Sequence, residues 1–204
     1  MISLTMEQIR FHVFKKGIRV LGIAESFDPS KDKKSTIAGV VMRKDLVIDG
    51  VSLETATLGG DDATKSVISL YKSFHRRDIN VIMLSGAIIS YYNIVDLERV
   101  SSTTNRPLIC LTYRESPGLE EVFKKRFPGS YQEKIEAYKK LGSRDTFTLS
   151  TGKKVYARLV SIAKEDAKKL LDDFVLQGRY PEPVRIASLI ASAVRKSSRT
   201  VRKV

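Results

Sequence analysis

Three acidic side chains stand where carboxylates could hold a metal ion. Glu25 ends the apolar stretch VLGIAESF, while Asp62 lies in GGDDAT and Asp96 in NIVDLERV. Hard dications such as Mg²⁺ and Mn²⁺ take oxygen ligands, and a bound dication can activate water for phosphodiester cleavage. If the fold brought these acids together, they would serve a divalent-metal-dependent nuclease.

Each acid also has a structural interpretation. Asp62 comes directly before a helical pattern, where an N-cap role is expected. Asp96 falls in the first turn of a second helical pattern, where negative charge favours the helix dipole, and Asn93 is a candidate cap of that helix. Consecutive strand residues point to opposite faces of a sheet, so the side chains of Glu25 and Ala24 are expected to lie on opposite faces.

Aromatic and cationic residues indicate a nucleic-acid partner instead. Tyr91 and Tyr92 lie in a loop after a buried strand, where rings could stack on bases for about 1–3 kcal/mol per base. Arg76 and Arg77 end the first helix of a chain with net charge +13, from 36 Lys and Arg against 23 Asp and Glu. Such an excess favours DNA or RNA, which would be bound in a salt-dependent way. The alternatives are tyrosines packed on the sheet and a charge that only keeps the protein soluble.

The elements that would position these residues follow the order β-β-β-α-β-α-β. Short connections join the first three strands into an antiparallel meander, and the strand–helix–strand units that follow require parallel strands. The strands are predicted at 18–26, 35–44, 46–57, 79–86 and 107–114, and the helices at 61–77 and 93–104. This order predicts an α/β fold of ribonuclease H-like architecture, with a mixed five-stranded sheet and flanking helices.

The rest of the chain is expected to extend this sheet domain. We predict a single domain over 1–204, with a core at about 17–128 and a mainly helical C-terminal extension that contains one hairpin at about 129–196. Residues 197–204 form a basic tail that is expected to fray. No signal peptide and no run of about 18 apolar residues is found, which predicts a cytoplasmic protein without a membrane partner.

Seven short motifs carry a resemblance to a known family. They are VLGIAESF, AGVVMR, GGDDAT, VIMLSG, NIVDLERV, RPLICLTYR and PEPVRIASLIA, and they span residues 20–191. In this order and spacing the chain resembles the archaeal family called domain of unknown function 99, which is similar in fold to endonuclease V. The resemblance implies an endonuclease V-like fold. Endonuclease V enzymes cut a strand near deaminated adenine with carboxylates that bind a divalent metal.

The chain departs from that family's pattern at its acidic positions. Ala24 stands where the first strand carries an aspartate, and Ser85 stands where the fourth strand ends in Asp-Gly. Gly59 replaces an aspartate before the first helix. Loss of two or three anionic ligands removes most affinity for a hard dication. The resemblance therefore implies a degenerate metal site, and no metal or other cofactor is expected.

Three functions follow as alternatives. The leading one is a nucleic-acid-binding, endonuclease V-like protein, catalytically impaired, that uses Tyr91 and Tyr92. The second is an active Mg²⁺- or Mn²⁺-dependent endonuclease that uses Glu25, Asp62 and Asp96 as relocated acids. The third is a protein-interaction module, in which the helix from Pro183 helps a partner or a second copy to dock as a homodimer.

Overall fold

The computed structural model describes residues 17–115 and 118–201, except for the side chains of 199–201. Its strands are β1 (Arg19–Ser26), β2 (Lys34–Arg43), β3 (Ile48–Thr57), β4 (Val81–Ser85), β5 (Ile88–Ile89), β6 (Asn93–Ile94), β7 (Leu108–Thr112), β8 (Asp145–Thr148) and β9 (Lys154–Val160). Its helices are α1 (Ala63–Ser73), α2 (Leu97–Thr104), α3 (Glu120–Arg126), α4 (Tyr131–Lys140), α5 (Lys164–Phe174) and α6 (Glu182–Val201).

One mixed sheet organises the molecule, with the strand order β3-β2-β1-β4-β7-β9-β8. The first three strands pair antiparallel, and β4 lies parallel to both β1 and β7. The predicted α/β architecture, with a meander joined to parallel strands, is confirmed. The carboxyl ends of β1, β4 and β7 meet at one edge, which we call the carboxyl edge.

The sheet has seven strands rather than the predicted five. Strand β9 pairs antiparallel with β7, with Leu108 opposite Val160 and Thr112 opposite Tyr156, and β8 pairs with β9. All of β7 except its last residue is buried, so an unpaired edge there would leave backbone polar groups without partners. The hairpin supplies those partners and is part of the central sheet.

Each face of the sheet carries its own hydrophobic core. Leu21 and Ile23 of β1 pack on the side of α1 and α2, while Val20 and Ala24 pack on the side of α5 and α6. This alternation follows from the two-residue period of a strand. Contact between α6 and β1 is unusually close at Gly22, where an added Cβ would lie 2.3 Å from the carbonyl carbon of Pro183.

Two local predictions need correction. The second helix begins at Leu97 rather than at 93, because Asn93 and Ile94 pair with β5 as a two-residue strand. Helix α3 was not predicted, although its first turn is acidic and its last turn basic. Helix α6 continues to Val201, into the segment for which fraying is predicted, and 202–204 lie outside the described residues.

Across the described ranges, none of the helices combines the length and the apolar character needed to cross a membrane. The one cysteine, Cys110, is fully buried in β7, and burial raises the pKa of its thiol to about 12. This agrees with the role of a small core side chain.

Candidate functional site

The ends of β1 and β4 hold two of the three positions at which the family resemblance predicts that acids are replaced. Their parallel pairing runs to Ile23 opposite Leu84, so Ala24 and Ser85 are the next residues along the two strands. Ala24 is 4% exposed and belongs to the same core as Met83, and strand alternation puts Ser85 on that face too. Together the two positions offer one hydroxyl and no carboxylate.

One carboxylate does lie on this face of the sheet. Glu182 begins α6, is 4% exposed, and directly precedes Pro183, which touches Gly22. Its two oxygens accept hydrogen bonds from the Arg185 guanidinium at 2.6–3.0 Å. A serine hydroxyl and a carboxylate already paired with arginine do not fit a hard dication, which needs several anionic or carbonyl oxygens. Within 17–115 and 118–201, no three His, Cys, Asp or Glu side chains are grouped to hold a metal.

Glu25 points to the opposite face, as alternation predicts. Its two oxygens each accept the Ser90 N–H at 2.8 Å, and Oε2 also accepts Ser90 Oγ at 2.9 Å. The Ser90 hydroxyl lies 2.5 Å from Ser35 Oγ, and both serines are 0% exposed. Burial raises the pKa of the Glu25 carboxyl, and hydrogen bonds from Ser90 and Ser35 only partly offset this. The carboxylate therefore anchors Ser90 and faces away from Ser85.

The loop that Glu25 anchors has a strained backbone. Ser90, Tyr91 and Tyr92 have φ angles of 47°, 58° and 70°, in the left-handed region. Each such residue with a Cβ costs about 1–2 kcal/mol, so other contacts must stabilise the turn. The Gly59 N–H donates to Ser90 O at 2.8 Å, and Lys134 Nζ donates to Tyr92 O at 3.3 Å. Gly59, the third position at which the resemblance predicts a replaced acid, thus contributes its backbone to this turn.

Asp62 is held by Thr57 and Asn93. It accepts hydrogen bonds from Thr57 N–H at 3.0 and 3.1 Å, Thr57 Oγ1 at 2.7 Å and Asn93 Nδ2 at 2.7 Å. Burial raises its pKa, but these bonds outweigh burial and the pKa is lowered. Asp62 stands at the N-cap position of α1 as predicted, yet its side chain makes no capping bond. Ala63 N–H donates to Asn93 Oδ1 at 3.1 Å instead, so the prediction that Asn93 caps the second helix is wrong.

Asp96 caps α2. Its Oδ1 accepts the Arg99 N–H at 2.9 Å, which confirms the helix-terminal interpretation. Glu25, Asp62 and Asp96 therefore belong to three separate sets of hydrogen bonds. The structure does not bring them together as a shared set of ligands.

Aromatic and cationic side chains cover the outer side of the left-handed turn. The Arg126 guanidinium lies 5.2 Å from the Tyr91 ring centre and 5.8 Å from that of Tyr92, and donates to the Tyr91 hydroxyl. Tyr92 also packs edge-on against Phe123 and Phe127, at 6.0 and 5.9 Å between ring centres. A cleft of about 770 Å³ lies here, and we call its lining the tyrosine surface: Tyr91, Tyr92, Glu121, Val122, Lys125, Arg126 and Phe127.

Comparison with known proteins decides the family. The profile of the family described as endonuclease dU matches residues 16–195. The chain belongs to the endonuclease dU family. The UPF0215 protein of Pyrobaculum calidifontis is 36% identical over 177 residues, which make up 86% of this chain and 96% of that protein. The archaeal family resemblance is confirmed.

Solved structures give the fold of this endonuclease dU family chain. A protein of unknown function from Archaeoglobus fulgidus has a TM-score of 0.73 at 28% identity, covering 87% of this chain and 98% of that one. Endonuclease V of Ciona intestinalis, in complex with a DNA that contains inosine, has a TM-score of 0.59 at 12% identity, covering 89% and 87%. The second likeness concerns the fold alone, and it confirms the predicted endonuclease V-like, ribonuclease H-like architecture.

The other two residues that are predicted to bind nucleic acid lie at the end of the sheet opposite the tyrosine surface. Arg76 and Arg77 precede β4, whereas Tyr91 and Tyr92 follow it. Arg76 donates to both oxygens of Asp78 at 2.7 and 2.8 Å and to Asp49 Oδ2 at 2.8 Å. Arg77 is exposed. The structure therefore does not bring these arginines to the tyrosine surface.

Replacing Arg76 with glutamine is expected to affect stability more than binding. Hydrogen bonding from Arg76 lowers the pKa of Asp78 from 3.8 to about 2. A lowered carboxyl pKa stabilises the fold at pH above the unfolded value, and this contribution is lost as pH falls from about 4 towards 2. We expect Arg76→Gln to lower Tm at pH 7 by a few degrees. The loss of stability between pH 4 and 2 should also become shallower. Thermal unfolding at a series of pH values measures both effects. If the loss of stability between pH 4 and 2 were the same in the variant, the pairing of Arg76 with Asp78 would not be its cause.

Several residues of the site could not be identified from the sequence. Lys134 is 6% exposed and donates to Asp61 Oδ1 at 3.0 Å as well as to Tyr92 O, but nothing in its helix distinguishes it from other lysines. Ser90 and Arg126 gain their roles from partners 65 and 35 residues away. Among these residues, Glu182 alone could have been placed at a helix start from the sequence, because an acid beside a proline commonly begins a helix.

Proposed function

We propose that this endonuclease dU family protein binds nucleic acid at the carboxyl edge and does not cleave it by a metal-dependent route. The observation that carries this proposal is the pair Ala24 and Ser85. They sit side by side where β1 and β4 end, on one face, without a carboxylate between them. No metal or other cofactor is part of the proposal.

Family, fold and charge support a nucleic-acid partner. The family's description names an endonuclease, and a solved structure of the same fold was determined with DNA. A net charge of +13 favours a polyanion. The tyrosine surface adds rings on which bases can stack and, at Lys125 and Arg126, cations for phosphates. We propose that Tyr91 and Tyr92 contact bases there.

The alternative of an active nuclease with relocated acids has less support. Glu25 is bonded to Ser90, Asp62 to Thr57 and Asn93, and Asp96 to the first turn of α2. Each carboxylate would have to leave these partners to bind a dication. Losing the hydrogen-bond acceptor of a buried donor costs about 1–3 kcal/mol.

Removing the Tyr91 ring is expected to weaken binding of a fluorescent single-stranded oligonucleotide. Stacking of one base is worth about 1–3 kcal/mol, so Tyr91→Ala should raise Kd by about tenfold. Tyr91→Phe keeps the ring and should bind nearly as well as the parent. Fluorescence anisotropy at rising salt measures both, and Kd of the parent should increase steeply with salt. Absence of binding at low salt would sink the proposal.

Cleavage is tested separately with oligonucleotides that contain inosine or deoxyuridine, in Mg²⁺ or Mn²⁺. We expect binding without a cut product. A product that disappears with Glu25→Gln would support the relocated-acid nuclease, and a product that persists would show another catalytic route. Either result would overturn the catalytic half of the proposal.

The apolar side of α6 is buried within the chain. Val184, Ala187 and Ala191 are 0–1% exposed and belong to the core under β1. These three residues therefore pack within the chain, whereas Leu189 of the same helix is 57% exposed. A homodimer, a protein-docking role and a cytoplasmic location stay predictions.

A further inference from the structure

A small cavity lies next to the carboxyl edge, on the face of the sheet opposite to the one that carries Ser85. Its volume is about 150 Å³, and its lining includes Gly86, Thr112, Tyr138, Arg144 and Arg158. Cavities that hold drug-sized ligands measure about 300–1,000 Å³, so a whole nucleotide is too large for this one. A single tetrahedral group of a larger ligand is of suitable size.

The two arginines of this cavity have no acidic partner among the described residues. Arg158 extends from β9 opposite Cys110 and donates one hydrogen bond, from Nε to Gly142 O at 3.1 Å. Arg144 donates to Arg114 O at 3.2 Å, and its guanidinium lies 5.6 Å from the Tyr156 ring centre. The Glu115 carboxylate accepts a hydrogen bond from the Tyr156 hydroxyl at 2.7 Å.

Electrostatics makes this arrangement unfavourable without an anion. Arg158 is half-buried, and burial lowers its pKa, with a further decrease from the positive charge of Arg144. The larger cleft on the other side of Arg158 contains Asp96, Glu98 and Asp145. None of these acids lies within ion-pair distance of Arg158, and Asp145 pairs with Lys164 at 2.6 Å. A half-buried guanidinium without a counter-charge is a costly feature unless a ligand supplies the charge.

We propose that Arg144 and Arg158 form a binding site for a phosphate group of the nucleic acid. Guanidinium groups bind phosphate through paired N–H donors, and each of these two side chains donates one hydrogen bond to the described residues. The cavity begins at Gly86, directly after β4, so the phosphate lies close to the carboxyl edge. This inference rests on the proposed function for the identity of the ligand. The phosphate comes either from a strand end or from the internal backbone.

The test compares the parent with Arg158→Gln and Arg144→Gln, and uses Arg43→Gln as a control that removes one charge elsewhere. Arg43 is exposed and pairs with Asp45 at 2.5 Å, far from this cavity in the sheet. Affinity is measured by anisotropy for oligonucleotides with a 5′-phosphate, a 3′-phosphate or hydroxyl ends. Tm is measured with and without inorganic phosphate, whose general effect on protein stability is the same in all variants.

We expect Arg158→Gln and Arg144→Gln each to raise Kd by about tenfold relative to Arg43→Gln, as for loss of a charged hydrogen bond. Phosphate should raise Tm more in the parent than in either variant, while Arg158→Gln alone should not lower Tm. If the variants lose affinity only for oligonucleotides phosphorylated at one end, the site binds the phosphate of a strand end. If they lose affinity equally for all oligonucleotides, the site binds a phosphate of the internal backbone.

Equal affinities and equal phosphate responses in all variants would overturn the site and leave nucleic-acid binding standing. Stabilisation of the parent alone by phosphate, without oligonucleotide binding, would retain the site and overturn the proposed function.

Discussion

An Ala24→Asp/Ser85→Asp variant is expected to unfold more easily than the parent in EDTA and to regain stability with Mn²⁺. Ala24 is 4% exposed, so a carboxylate there loses its hydration. We expect the free energy of unfolding to decrease by about 3–5 kcal/mol, as for other buried unpaired charges. Mn²⁺ at a hundred times its Kd should restore about 2.7 kcal/mol. Thermal unfolding in EDTA and in Mn²⁺ measures both effects.

The matched control is Ala24→Asn/Ser85→Asn, which has the same size without the charge. It should respond to Mn²⁺ no more than the parent does. A clear Mn²⁺-dependent rise of Tm in the parent itself would show that the natural side chains already hold a dication. That result would remove the basis of the proposed function.

Glu25→Ala is expected to loosen the left-handed turn and to weaken oligonucleotide binding. The Ser90 N–H would lose both of its acceptor oxygens inside the protein. We expect a decrease of about 2–4 kcal/mol in the free energy of unfolding, from the unsatisfied donor and the space left behind. Because Tyr91 and Tyr92 follow Ser90 directly, Kd should increase as well. Urea unfolding and anisotropy measure the two effects.

Glu25→Gln separates anchoring from charge. The glutamine keeps one acceptor for Ser90, so its stability at pH 7 should lie within about 1 kcal/mol of the parent. In the parent the carboxyl pKa is raised above its ordinary value of 4.5. Protonation of the Glu25 carboxyl group therefore stabilises the folded state. This contribution is fully present below pH 4.5 and is lost as pH rises through the pKa of the folded state. The variant should lack this pH dependence. A parent-like pH profile in the variant would refute the assignment.

The sequence predicts the scaffold well because its signals are local. The apolar run of β1 and the alternation within it place Ala24 and Glu25 on opposite faces, as found. The 3.6-residue spacing of Val67 and Leu70 predicts the buried side of α1. The prediction that Ala24, Gly59 and Ser85 stand in place of acids comes from the family resemblance, and the structure puts Ala24 and Ser85 side by side.

The remaining features depend on contacts between distant residues. Pairing of β9 with β7 joins segments about 50 residues apart, and no local pattern specifies that partner. The same holds for the bonds of Glu25 to Ser90 and of Asn93 to Asp62. From the sequence, Arg76 is expected to be available for phosphate because its bond to Asp49 spans 27 residues, although its other partner, Asp78, is only two residues away. Side-chain polar partners are the least predictable feature here, since one rotamer or register change exchanges them.

Gly22 has a consequence for how this fold can diverge. With no side chain at that position, the main chain of α6 rests directly on β1. The distance between helix and sheet at this point is thus set by backbone atoms. A lineage that exchanges the residues at 24 and 85 can therefore keep this spacing, provided that a bound ion or a partner group compensates a buried charge.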